Sequence, residues 1–208
     1  MPYQILLIHG GDAWETQEEY IAALKAKEVT LERLLSRDWK ANLQDRFGTA
    51  VQVIMPRMPN SQNARYAEWK IYFEKIVPLF NDNLILIGHS LGGIFLAKYL
   101  SEEHIAKKIK ATFFVAAPYN TAEIHPLVDF NLENDLHGVS EQGGRLMFFQ
   151  SHDDQVVPFS NVKDYQKVLP TAEYHLTEQG GHFNQPSFPE LEQVLETIVK
   201  ETSASVDA

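Results

Sequence analysis

A serine set among glycines, a pair of aspartates and a glycine-flanked histidine follow one another along this chain, and together they could carry covalent acyl transfer. The serine is Ser90, in Gly88-His89-Ser90-Leu91-Gly92 of the stretch GHSLGG. An apolar run, LILI, leads into it and a helical pattern, IFLAKYL, leads out, so Ser90 is predicted on a sharp strand-to-helix turn where Gly88 and Gly92 keep the backbone free of clashes. Such a turn lifts the hydroxyl above the sheet edge at a helix N-terminus, where peptide dipoles favour developing negative charge. A serine hydroxyl is a weak nucleophile near neutrality and needs a general base, which in turn needs a group to fix its tautomer. MFFQSHDDQVVP offers Asp153 and Asp154 at the end of one apolar run, and EQGGHFNQP offers His182 in a loop after another. Residue type alone leaves the two aspartates as alternatives, but the order Ser, Asp, His is the one that accompanies this turn. An oxyanion needs two N–H donors; Leu91 supplies one from the turn, and the loop His9-Gly10-Gly11 supplies the other, through Gly11 in preference to its neighbour Asp12. The same loop, HGGDAW, lacks the GxGxxG spacing of a dinucleotide site.

These residues are useful only if the chain brings them to one place. Six apolar runs of strand length, at 3–10, 50–56, 83–90, 111–118, 145–152 and 172–178, are mostly continuous, as expected of strands covered on both faces. Helical patterns lie between them. DWKANLQDRFG has Asp38 as N-cap, Trp39, Leu43 and Phe47 on one face and Gly48 as a stop, and RYAEWKIYFEKIVPLF repeats Tyr66, Trp69, Phe73, Ile76 and Phe80. The last helix is expected to open on a Ser187-x-x-Glu190 capping box with Pro189 in its first turn and to end near residue 201, leaving 202–208 frayed. The alternation predicts one α/β domain over 1–201 with a mainly parallel sheet, its site at the carboxyl ends of the strands.

Composition narrows the chemistry. With 208 residues, 18 Lys+Arg and 28 Asp+Glu, the chain carries a net charge of −10 spread along its length. That disfavours nucleic acid and anionic membranes, both of which reward clustered cations. Absence of cysteine removes disulfides and thiol chemistry, so a covalent nucleophile must be oxygen or nitrogen. His104, His125, His137, His152 and His175 lack metal-ligand spacing, and no metal or cofactor is expected. The opening MPYQILLIHGG enters an apolar run without a basic segment before it or a small-residue cleavage site after it, the pattern of a cytoplasmic protein.

The pieces IHGG, GHSLGG, SHDDQVVP and GGHF resemble the α/β-hydrolase superfamily, and most of all the small serine hydrolases related to retinoblastoma-binding protein nine. The likeness spans nearly the whole chain and includes MPRMPN before an aromatic-rich helix. It implies Ser90 as nucleophile, His182 as base and Asp154, not Asp153, as the orienting acid. Two stretches depart from the smallest relatives. DAWETQEEYIAALKAKEVTLERLLSR intervenes after the first glycine loop, with Tyr20, Leu24, Leu31, Leu34 and Leu35 at helical spacing. Residues 13–37 could form a small cap with Trp14 near the mouth of the site, or pack on the sheet edge as ordinary core, the commoner arrangement. Residues 120–142, where larger relatives insert a lid domain, are too short for one. The resemblance implies hydrolysis of a small ester-type substrate through an acyl-enzyme, with peptide or thioester cleavage on the same triad as variants. The alternative is a protein-binding module on a retained fold.

Overall fold

The computed structural model describes residues 3–120, 126–133 and 135–206, without the side chains of 202–206. Its elements run β1 (Tyr3–Ile8), α1 (Gln17–Ala26), α2 (Leu31–Leu35), α3 (Trp39–Phe47), β2 (Val51–Ile54), α4 (Tyr66–Ile76), β3 (Leu84–His89), α5 (Leu91–Glu102), β4 (Ile109–Val115), α6 (His137–Gln142), β5 (Arg145–Ser151), α7 (Ser160–Val168), β6 (Glu173–Thr177) and α8 (Pro189–Val206). The six strands form one sheet in the order β2-β1-β3-β4-β5-β6, and every pairing is parallel. The order reverses between β1 and β3, and a parallel sheet opens a crevice beyond the carboxyl ends of its strands at such a point.

Both faces are covered, as the continuous apolar runs require. Along β1, Leu6 and Ile8 face a core shared with Trp69, Phe73 and Phe95, while Ile5 and Leu7 face another shared with Trp39, Phe113, Leu191 and Leu195. All six residues of β3 are buried. Asp38 caps α3, its carboxylate accepting from the Lys40 and Ala41 N–H groups, and Gly48 ends it at φ 56°. The pattern of α4 breaks before Phe80: Pro78 cannot continue the hydrogen-bond ladder, and Val77–Leu79 tighten into a 3-10 turn. The expected Ser187/Glu190 capping box gives way to another arrangement. Phe188 N–H donates to Glu192, and the Glu190 carboxylate lies 3.2 Å from His175 Nδ1. Helical backbone in α8 continues past residue 201 to Val206.

Between β4 and β5 the described residues form a 3-10 turn, Val128–Phe130, and the short α6, with no lid domain. His125 lies outside the described residues. Among the described residues no helix is long and apolar enough to cross a membrane.

The segment between β1 and α3 is built differently from the rest. Thr16 caps α1 by accepting from Glu19 N–H, Thr30 caps α2 by accepting from Arg33 N–H, and neither helix has a buried residue. Leu31, Leu34 and Leu35 are 71%, 70% and 72% exposed, so their spacing does not mark sheet-edge core. Trp69, fully buried against the rings of His9, Phe95 and Phe130, is the contrasting case. Trp69→Ala should cost about 3–5 kcal/mol in urea unfolding, whereas replacing Leu31, Leu34 and Leu35 together by Gln should change stability by no more than about 1 kcal/mol. A large loss in the triple variant would mean that these leucines do pack in the folded protein.

Candidate active site

The turn between β3 and α5 is fixed by backbone crowding. A Cβ on Gly92 would lie 2.2 Å from the Ile8 carbonyl oxygen, and one on Gly88 would lie 2.5 Å from the Gly92 carbonyl oxygen. Only glycine lets α5 begin this close to the end of β1. Ser90 itself takes φ 54° and ψ −123°, a conformation that L-residues rarely adopt, with its N–H donating to the Val115 carbonyl of β4 at 2.8 Å. The chain thereby turns within a single residue and presents Ser90 in the wall of a cavity of about 890 Å³.

The loop after β1 lies against this turn. A Cβ on Gly10 would sit 3.1 Å from Ser90 Cβ, and one on Gly11 would sit 2.4 Å from the Ser61 carbonyl oxygen. The Asp12 N–H is bonded to that same Ser61 carbonyl at 2.9 Å, which occupies it. No hydrogen bond to a described residue engages the Gly11 or Leu91 N–H, and both residues line the cavity. His9 holds the loop in place by accepting from Met58 N–H at Nε2, 3.0 Å away, and donating from Nδ1 to the Gly10 carbonyl at 2.6 Å.

The aspartate pair divides into two jobs. Asp154 is buried after β5 and accepts from the Val156 and Val157 N–H groups at 2.8 and 3.0 Å, while Gln150 Nε2 donates to its other oxygen at 3.3 Å. His182 Nδ1 lies 2.9 Å from Asp154 Oδ2 and 3.2 Å from Oδ1. Because a carboxylate only accepts, this pairing puts the proton on Nδ1 and leaves Nε2 as the acceptor. Asp153 is exposed and turns the other way, accepting from Gly180 N–H at 3.0 Å, Gly181 N–H at 2.7 Å and the Ser151 hydroxyl. The Ser151 hydroxyl and then the two N–H groups hold its carboxyl at about 2.

Three attachments thus fix the loop that carries His182. Asp153 grips the residues before it, His89 Nε2 donates to the His182 carbonyl at 2.9 Å, and Trp39 Nε1 donates to the Phe183 carbonyl at 2.8 Å. The rings of His89 and His182 lie 4.9 Å apart, so the His182 imidazole sits beside the residue immediately before Ser90. Burial, followed by the positive charge of Lys40, keeps His89 well below the usual histidine range, and its ring is neutral. Sequence reasoning places Ser90, Leu91, Gly11, Asp154 and His182 as a group, and the structure brings them to one end of the sheet. Trp14 lines the same cavity. The roles of Asp153, His89, Gln150 and His9 were missed, the glycines before His182 being the one visible hint of a loop that needs an acceptor. His152 stacks on Phe159 at 3.6 Å beside the aspartate loop, away from this group.

A parallel sheet reversing at β1/β3, with a serine on the β3–α5 turn and a histidine on the loop after the last strand, defines an α/β-hydrolase. The chain belongs to the serine hydrolase family, whose model matches residues 35–199. It is 26% identical over 135 residues to the Bacillus subtilis hydrolase YdeN, a match covering 64% of this chain and 70% of that protein. The crystal structure of YdeN superposes with a TM-score of 0.70 at 22% identity, covering 95% of this chain and 99% of YdeN. A YdeN-like hydrolase from Pectobacterium atrosepticum gives 0.63 at 16% identity, covering 95% and 91%. A meta-cleavage product hydrolase from Pseudomonas fluorescens gives 0.61 at 13%, covering 98% and 91%; at these identities the structures share the fold.

The low carboxyl of Asp153 has a consequence in acid. Its folded value of about 2 is below the ordinary 3.8, so the anion is the form the fold favours. The stabilisation is complete above about pH 4 and disappears as pH falls through about 2. Asp153→Asn should lower the urea midpoint near neutrality and flatten its decline between about pH 4 and pH 2. An unchanged decline in the variant would show that another carboxyl is responsible.

Proposed function

We propose that this protein hydrolyses a small ester through an acyl-enzyme on Ser90, His182 and Asp154, a carboxylesterase-like activity. The observation that carries the reading is the 2.9 Å contact of Asp154 with His182 Nδ1, which leaves Nε2 to serve a serine lining the same cavity. Ser90 Oγ attacks the substrate carbonyl carbon as its proton passes to His182 Nε2. The resulting oxyanion accepts from the N–H groups of Leu91 and Gly11, and the imidazolium is steadied by Asp154. Collapse breaks the ester C–O bond, the leaving oxygen takes the proton from His182, and the acyl group stays on Ser90. Water then attacks that acyl carbon, giving a proton to His182, and the second collapse returns the proton to Ser90 and releases the acid.

Intact-mass analysis after treatment with a fluorophosphonate tests the nucleophile directly. Wild type should gain a single adduct, and Ser90→Ala and His182→Ala should gain none. An unlabelled but folded wild type would favour a binding module on the retained fold. In ester hydrolysis Ser90→Ala should cost roughly 10⁴-fold or more in kcat. Asp154→Ala should cost far more than Asp153→Ala, since the first touches the base and the second only its loop; equal losses would undo that division.

The cavity supports a further part of this reading. Tyr20, Ala23 and Leu24 of α1 and Arg33 of α2 line it together with Ser90 and His182, and Trp14 stands at the base of the segment. In this proposal α1 and α2 form a small cap that limits the acyl or alcohol side of the substrate. Removal of residues 15–36 should therefore alter the ranking of esters by chain length. A folded deletion variant with an unchanged ranking would rule the cap out.

A further inference from the structure

Lys40 is not accounted for by the chemistry above. It is the second residue of α3, its side chain is 8% exposed, and it stands in the wall of the cavity that Ser90, His89 and His182 also line. Its ammonium lies 2.6 Å from Asp38 Oδ2 and 5.3 Å from the centroid of the Trp39 ring. An ammonium has three donors, and Asp38 is its sole carboxylate partner among the described residues. Burial presses Lys40 below its ordinary 10.5, with the bond to Asp38 opposing the shift. A cap for α3 does not need this lysine, because Asp38 already accepts from two backbone N–H groups through Oδ1.

The rest of the charged lining points the same way. Lys27 at the end of α1 and Arg33 of α2 border the cavity, and Asp12 is the single acidic residue in its wall among the described residues. The whole chain has 28 acidic residues against 18 basic ones, so the described lining of the cavity reverses the charge balance of the molecule. A wall of this kind attracts an anion, and a buried, under-partnered ammonium holds it in a set direction.

We propose that the substrate is an ester whose acyl or alcohol portion carries a carboxylate, seated on Lys40, with Lys27 and Arg33 of the overlying helices at the entrance. This rests on the serine-hydrolase reading and adds the substrate class. Leu24, Leu91, Leu127 and Val157 in the same wall leave apolar surface for the chain between carboxylate and ester.

Two alkyl fluorophosphonates of equal chain length, one ending in a methyl group and one in a carboxylate, provide the test. Each reacts as Ser90 Oγ bonds to phosphorus, its proton passes to His182 Nε2 and fluoride leaves, so the second-order labelling rate reads access and seating without a known substrate. On wild type the carboxylate probe should label at least tenfold faster than the methyl probe. That ratio should fall to about one in Lys40→Met and recover in part in Lys40→Arg. Neutralising the entrance in Lys27→Gln/Arg33→Gln should reduce the ratio and its dependence on salt. A ratio near one in wild type, or a ratio unaltered in Lys40→Met because both rates fall together, would overturn the proposal while leaving Ser90 as nucleophile. Failure of both probes to label Ser90 would overturn the hydrolase reading and this inference with it.

Discussion

The site depends on how closely two backbones approach. The first turn of α5 rests on the end of β1 with no side chain between them, and the Ile8 carbonyl occupies the place a Cβ of residue 92 would need. That contact sets the angle at which α5 leaves the sheet, and the angle holds Ser90 in its strained turn. The strain is stable because it is over-determined: Ser90 N–H is tied to β4, β3 is buried along its whole length, and α5 is buried through most of its residues. Any added bulk would move the helix, and the candidate nucleophile and the Leu91 N–H would move with it.

The opposite side of the site is held by polar bonds instead of packing. The loop after β6 carries His182 with no regular structure of its own, and a histidine on a free loop would sample many orientations. Neighbouring aspartates solve separate parts of that problem. Asp154, dry and fed by backbone N–H groups, faces the imidazole, while Asp153, wet and strongly acidic, gathers the glycines before it. The neutral His89 adds a bond from below, linking the nucleophile turn to the base it would serve. One pair of adjacent residues therefore sets both where the His182 imidazole is and which of its nitrogens is left to accept.

Much of this arrangement is legible in the sequence because it is local. The six strands fall in the six apolar runs, most of them continuous, and Ser90 and His182 are marked by neighbouring glycines. Where the reading falls short, the deciding contact comes from a distant part of the chain. Periodicity in Leu31, Leu34 and Leu35 reports an amphipathic helix but not what covers its apolar face, and these residues stay exposed. The start of α8 looks like a capping box until Glu190 is drawn to His175 on β6, leaving Glu192 to accept from Phe188. Lys40 carries no local mark in the sequence, and its burial in the cavity wall is seen only in three dimensions. Similarly, composition cannot separate Asp153 from Asp154; the direction in which each carboxylate turns does.

The parallel sheet also bears on how the molecule is made. Each parallel pairing needs a crossover before its strands can meet, and nearly half the chain separates Ser90 from His182. Synthesis runs from the N-terminus, so the serine and the loops of Gly11 and Leu91 emerge long before the histidine. Under the proposed chemistry, a partly synthesised chain would hold Ser90 without the histidine that takes its proton. The loop after β6 closes on Asp153, His89 and Trp39 only when the final strand has docked, and reactivity would then arise together with completion of the sheet. If Ser90 and His182 act together as proposed, the topology itself delays an activated serine until the sheet is complete.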